Sequence, residues 1–429
     1  MKTNILCLLL CLLVAFSSCD EIVTYNENYD NGTTSYGPPE IERICSINEP
    51  DLSIDWGEMD DIILIYGRNL SNVKAIYFND RPADLTEVNA LVDKIGVRIP
   101  VAFPEEENKL ITVVTEKGEA QFPFEVFIPQ LLFEGLDNEF ASAGDEVTLT
   151  GKYFDLYQLT QEKAVITLNG TSVKVVSATD TKLILEVPES IPDLSNTEFS
   201  ISSEIIKTPV KFPFHTTGAF RLLDFKTRDD LKQKEAIVCD GTEVGKPKPL
   251  IPGEKYFWFE KSMGAWTWND MTWNFLEPMD VSLHSDIIDN LSDYYLKFEL
   301  LTQKDIKGAQ FRVAIGNTNN WSDKQFRWQV ADGAVPFSTS GKWKTITIDM
   351  ANFQELPQLL SGTFVDNGKT VGANFMVTNF CDSTVPEDVA FAYTNFRFVK
   401  KYPCIKYEKK DHVINIRTVA YYDSLRNNL

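Results

Sequence analysis

Between residues 38 and 216 the chain carries the same pattern twice, and that repetition limits its fold more than any other feature. The first copy contains Ile65-Tyr66-Gly67-Arg68-Asn69-Leu70, then Ala75-Ile76-Tyr77-Phe78-Asn79, then Lys94–Pro100, then Gln121-Phe122-Pro123-Phe124. The second contains Leu149-Thr150-Gly151-Lys152-Tyr153-Phe154, then Val165-Ile166-Thr167-Leu168-Asn169, then Lys182–Pro188, then Lys211-Phe212-Pro213-Phe214. Gly67 and Gly151 are 84 residues apart, Asn79 and Asn169 are 90, Pro100 and Pro188 are 88, and Phe122 and Phe212 are 90. Four ordered matches at near-constant spacing mean two tandem domains, 38–128 and 129–217. Each copy is a series of short alternating runs broken by Gly, Asn, Asp and Pro. That period of two predicts all-β sandwiches.

The region 218–400 also reads as strands. Tyr294–Leu300, Phe311–Ile315 and Lys344–Ile348 alternate apolar with polar residues, and no 12-residue stretch keeps a helical period throughout. Its final run, Phe391–Val399, resembles the closing strand of a carbohydrate-binding jelly roll. One larger jelly-roll-like β-sandwich is expected here. Seven of the eight tryptophans fall between Trp258 and Trp343, with Trp56 alone outside.

A sandwich core does not need that many indoles, because Val, Ile, Leu and Phe fill it with less shape conflict. Trp266 and Trp268 are two apart and share a face if extended. Trp321 follows the amide-rich turn Asn317-Thr318-Asn319-Asn320, a poor context for burial. In Phe326-Arg327-Trp328-Gln329 the two aromatics share one face and Arg327 takes the other. Trp273 is five residues from Trp268, across an expected bend. By contrast, Trp258 lies in the two-sided apolar run Tyr256–Phe259, and Trp343 opens an alternating strand; both are assigned to the core. The flat C–H face of a pyranose stacks on an indole, and its hydroxyls need paired donors and acceptors. A glycan site is therefore expected from Trp266, Trp268, Trp273, Trp321 and Trp328, with Asn269, Asp270, Asn320 and Arg327 as polar partners.

The charge balance narrows the partner class. With 41 basic and 62 acidic residues the formal net charge is −21, which disfavours nucleic acid. The three histidines, His215, His284 and His412, are far apart, so neither a metal nor another cofactor is expected. Cys45, Cys239, Cys381 and Cys404 show no C-x-x-C spacing and read as buried free thiols. A glycosidase or lyase would need two carboxylates about 5–10 Å apart around the sugar. Asp270 and Glu277 lie near the tryptophans, but nothing in the sequence brings them together, and a non-enzymatic binder is the reading preferred. A surface adhesin suits the tandem domains but leaves the tryptophan window without a use.

The chain opens with Lys2, an apolar run from Ile5 to Phe16, and Ser17-Ser18-Cys19-Asp20-Glu21. The run is short of the roughly 20 apolar residues a membrane span needs. It resembles a bacterial lipoprotein signal, residues 1–18, cut before a Cys19 acylated with fatty acids such as palmitate. Residues 19–37 are polar and rich in turn formers, and read as a flexible tether. The glycine, Asn-ended strand and Pro-ended strand of each repeat resemble the immunoglobulin-like TIG (IPT) domain. The whole layout is similar to the surface glycan-binding lipoproteins of bacterial polysaccharide-utilisation systems. That resemblance implies an outer-membrane protein, lipid-anchored and facing the cell surface. It would capture a β-linked glycan, a glucan or a hemicellulose such as xyloglucan, beside an outer-membrane transporter and partner lipoproteins. The tandem domains would be spacers. Residues 401–429 fall outside the resemblance and are expected to be a disordered tail.

Overall fold

A computed structural model describes residues 35–216, 220–227, 229, 231–275, 286–287, 289–316, 325–329, 337–352, 364–366, 369–371, 374–381, 386–402, 404–406, 409–410, 413–414 and 417–419. The chain divides into two compact units, residues 1–129 and 130–429. Cys19 and the tether up to residue 34 lie outside the described residues.

The first unit has six main strands: β1 (Glu40–Ser46), β2 (Ile62–Arg68), β3 (Val73–Phe78), β4 (Lys94–Arg98), β5 (Leu110–Thr115) and β6 (Gly118–Pro123). One sheet runs β1–β2–β4 and the other β3–β5–β6, all antiparallel. Alternate residues from both sheets, Ile63, Ile65, Ile95 and Val97 against Ile76, Phe78, Ile111 and Val113, make one core.

The second unit begins with a copy of that sandwich: β7 (Leu132–Leu136), β8 (Glu146–Lys152), β9 (Val165–Leu168), β10 (Lys174–Thr179), β11 (Lys182–Glu186), β12 (Thr197–Ser202) and β13 (Val210–Phe214). Its sheets run β7–β8–β11–β10 and β9–β12–β13. The repeated residues have repeated jobs. A Cβ on Gly67 would sit 1.9 Å from the Glu40 carbonyl oxygen, and one on Gly151 2.2 Å from that of Leu132. Both glycines therefore admit the neighbouring strand at a bulge. Asn79 and Asn169 both turn with positive φ, 55° and 46°. Their side-chain oxygens accept from the backbone N–H groups of Lys109 and Glu198, at 2.8 and 3.1 Å.

The C-terminal sandwich follows, with β14 (Ile237–Cys239), β15 (Tyr256–Met263), β16 (Trp268–Phe275), β17 (Tyr294–Thr302), β18 (Ala309–Gly316), β19 (Gln325–Gln329), β20 (Lys344–Asp349), β21 (Asn374–Cys381) and β22 (Glu387–Lys400). One sheet runs β14–β15–β22–β17–β20 and the other β16–β21–β18–β19. Phe298, Leu300, Phe391 and Phe396 meet Phe311, Val313, Phe375 and Val377 in one core. Trp258 is buried in a separate, smaller cluster with Cys239, Tyr256 and Leu301, and half-buried Trp343 packs against that cluster, edge-on to Tyr256 at 5.8 Å. Cys45, Cys239 and Cys381 are buried free thiols, and burial pushes the Cys239 thiol up to about 11.

The alternation in β17 predicts an exposed polar face, yet all nine of its residues are buried. The reason is an ionic network shared with the preceding domain. Glu139, just after β7, bonds Lys297 Nζ through one oxygen and Arg397 Nη2, at 2.6 Å, through the other. Arg397 Nη1 reaches Glu299 at 2.9 Å, Asn395 Nδ2 donates to the same oxygen at 2.8 Å, and Lys297 Nζ donates to Tyr402 at 3.2 Å. Two carboxylates thus face two cations with little access to water, joining the second repeat and the C-terminal sandwich. Burial raises the Glu139 carboxyl, but Lys297 and Arg397 outweigh that and hold it below its ordinary value. For Glu299 burial wins over Arg397, and its carboxyl is pushed up to about 7.

The expected disordered tail at 401–429 is corrected for its first part. Tyr402 and Ile405 are buried, and Ile405 exchanges two backbone hydrogen bonds with Leu131, at 3.0 and 3.1 Å. Cys404–Lys406 pairs with Arg417–Val419, and Lys409–Lys410 with Val413–Ile414. The Tyr402 ring lies 4.5 Å from that of Phe212, so apolar contact with the second repeat draws this segment into the unit. Residues 420–429 lie outside the described residues.

Candidate functional site

Among the described residues, the exposed tryptophans of the C-terminal sandwich sit at the start of β16. The chain passes from β15 in one sheet to β16 in the other through Gly264-Ala265-Trp266-Thr267, where the Thr267 hydroxyl donates to the Gly264 carbonyl. Trp266 occupies this turn with φ +58°, a region that a bulky side chain seldom adopts. The conformation leaves Trp266 64% exposed, and Trp268, the first strand residue, is 40% exposed.

Pairing across the sheet assembles the rest. Trp268 lies opposite Phe380 of β21, which lies opposite Gln310 of β18. Asp270 lies opposite Thr378, which lies opposite Arg312. Phe380 is half-buried, and its ring centroid is 6.4 Å from that of Trp266 and 6.2 Å from that of Trp268. The Arg312 guanidinium carbon is 4.9 Å from the centroids of both Trp268 and Phe380. Its Nε and Nη2 donate to Gln310 Oε1, at 3.2 and 2.7 Å. The Trp268 indole N–H donates to Asp270 Oδ1 at 2.8 Å. The result is two exposed indoles flanking a phenyl ring, with Asp270 at the edge of one indole and Arg312 over its face. An aromatic surface so arranged can stack on the apolar face of a sugar ring.

Of the residues expected at the site, the structure brings together Trp266, Trp268 and Asp270. Asp270 accepts from the indole N–H of the exposed Trp268. Asn269 is a correction: it is buried and accepts from Lys261 Nζ, because neighbours along a strand point to opposite faces. The bulge between Asp270 and Thr272 sets the half-buried Trp273 opposite Met376, on the same face of the sheet as Trp268 and Asp270, where Lys234 Nζ is 4.9 Å from its ring. Asn320 and Trp321 lie outside the described residues. Arg327 and Trp328 belong to β19, where the register sets Arg327 opposite Arg312 and Trp328 opposite Phe311. Phe380, Arg312 and Gln310 were missed. The available signal was the alternation in Phe311–Ile315, which puts Arg312 on the face opposite Phe311 and Val313. Among the described residues no group of three or more His, Cys, Asp or Glu side chains is placed to hold a metal ion.

Residues 219–400 match the family model described as the surface glycan-binding protein B xyloglucan binding domain. Residues 137–214 match the IPT/TIG domain. No curated protein matches the sequence. Among solved structures, the surface glycan-binding protein PbSGBP-B from Prevotella bryantii is 19% identical, with a TM-score of 0.45, covering 85% of this chain and 99% of that one. SGBP-B from a complex xyloglucan utilization locus in Bacteroides uniformis is 17% identical, with a TM-score of 0.36, covering 84% and 99%. SGBP-B from the Bacteroides ovatus mixed-linkage glucan utilization locus, in complex with a mixed-linkage heptasaccharide, is 11% identical, with a TM-score of 0.27, covering 80% and 73%.

Proposed function

We propose, from the membership of residues 219–400 in the surface glycan-binding protein B xyloglucan binding domain family and of residues 137–214 in the IPT/TIG family, that this protein captures a β-linked glycan at the cell surface. The glycan is a glucan or a hemicellulose, with xyloglucan the first to test. The observation that carries this reading is the exposed pair Trp266 and Trp268 around Phe380. Exposing two indoles next to each other is unfavourable in water unless something covers them, and a sugar chain is a flat, partly apolar cover. Hydroxyls at the ring edge need hydrogen-bonding partners, and Asp270 lies beside the stacking surface to contribute one.

The protein holds the glycan without cleaving it. Asp270, the carboxylate an enzyme reading would recruit, accepts from Trp268, and its sequence companion Glu277 lies outside the described residues. The Cys19 signal supports a lipid anchor in the outer membrane, facing outward, with the captured glycan handed to an outer-membrane transporter and its partner lipoproteins. Gel retardation on a polysaccharide panel, with a reducing-end assay on the same mixtures, tests the central point. Retardation by xyloglucan or another β-glucan without release of reducing ends is expected. Release of ends would make it an enzyme, and retardation by nothing would remove the glycan reading. Cys19→Ala is expected to move the protein out of the membrane fraction, and an unchanged distribution would refute the anchor.

A further inference from the structure

We infer that Arg312 is a positioning residue of the glycan site: its guanidinium, shared between Trp268 and Phe380 and forked onto Gln310, fixes the two rings in the orientation on which a sugar stacks. The inference rests on the glycan reading of this surface and adds a residue that neither the tryptophan pattern nor the family match assigns.

An exposed Trp is held poorly by its own strand, and any rotamer freedom it keeps must be lost when a sugar stacks on it. Trp268 is constrained at two points. Asp270 takes its N–H at 2.8 Å, and Arg312 covers one face at 4.9 Å. The same guanidinium lies 4.9 Å from the Phe380 centroid, so one planar cation ties together rings from two strands. Arg312 is itself fixed: Nε and Nη2 both donate to Gln310 Oε1, and Gln310 has no exposure to solvent. A lysine would keep the charge but lose the plane and the fork. Because Arg312 lies over one face of Trp268, the glycan takes the other face, and Arg312 acts through the indole.

A double-mutant cycle on the full chain tests this, with binding of a xyloglucan oligosaccharide followed by calorimetry and folding checked by thermal melts. Arg312→Lys is expected to weaken binding roughly three- to thirtyfold, in proportion to the loss of a desolvated cation–ring contact. Trp268→Ala weakens it at least as much. The double variant is expected to bind like Trp268→Ala alone, within about twofold, since the effect of Arg312 on the glycan passes through the Trp268 indole. Near-UV circular dichroism supplies a ligand-free readout: Arg312→Lys should reduce the tryptophan signal in the wild-type background and leave it unchanged in the Trp268→Ala background. Wild-type affinity in Arg312→Lys, or a double variant that loses the product of the two single effects, overturns the inference. A wild-type chain that binds no glycan overturns the functional reading instead, and the dichroism comparison then decides alone whether Arg312 orders Trp268.

Discussion

Glu139→Ala is the perturbation with the largest consequence that the structure allows to be worked out. Lys297 and Arg397 are 0% and 1% exposed, and Glu139 supplies one carboxylate oxygen to each. Without it, two buried cations are left with Glu299 as the remaining carboxylate of the network. Breaking a buried pair by deleting one partner costs about 3–5 kcal/mol, because the stranded charge keeps its desolvation penalty. At roughly 2–4 °C per kcal/mol for a unit of this size, the melting temperature of the full chain should fall by roughly 6–20 °C. Circular dichroism melts and urea titrations at pH 7 measure it. Glu139→Ala combined with Lys297→Met should recover part of the loss, since one stranded charge goes with it. A Glu139→Ala chain within about 1 kcal/mol of wild type would show that the junction is wet and that the second repeat is only a spacer.

Three further perturbations have outcomes fixed by the same fold. Burial holds the Glu299 carboxyl at about 7, above its ordinary 4.5, so the folded state keeps a proton that the unfolded chain releases. This contributes stability below pH 4.5 that is lost as pH rises to about 7; Glu299→Gln should flatten that slope, and an unchanged pH–stability curve would contradict the assignment. Trp258→Ala, in the small buried cluster with Cys239, Tyr256 and Leu301, should cost about 3–5 kcal/mol in a urea melt, and a neutral result would show that this cluster does not hold the fold. Trp266→Gly relieves the left-handed backbone of the turn, so it should melt no lower than wild type while binding xyloglucan oligosaccharide more weakly; a large drop in melting temperature would mean that the indole is structural.

What could be read in the sequence was what local chemistry repeats. Gly67/Gly151 and Asn79/Asn169 betray the tandem sandwiches because a bulge without room for Cβ and a left-handed turn each admit few residue types. Trp266 and Trp268 stand out because their surroundings are polar and their spacing is that of one strand face. Asn269 misleads because a one-residue step changes the side of the sheet, while the bulge that returns Trp273 to the Trp268 face is invisible in spacing. Phe380 reaches Trp268 through a pairing that spans 112 residues and Arg312 joins through one that spans 66, which no local pattern encodes. Glu139 and Arg397 meet from 258 residues apart, and a lone Glu after a strand looks like any solvated acid.

The claim on which the rest depends is that Trp266 and Trp268 form a sugar-stacking surface. The most direct measurement is a binding isotherm of the full chain with a xyloglucan oligosaccharide, wild type against Trp266→Ala/Trp268→Ala, with the melting temperature of each recorded. Truncating an aromatic anchor of this kind typically costs 1–3 kcal/mol, so the double variant should lose about a hundredfold or more in affinity while melting within about 2 °C of wild type. A double variant that binds with wild-type affinity, or one that no longer folds, would show that these indoles do not form the glycan site.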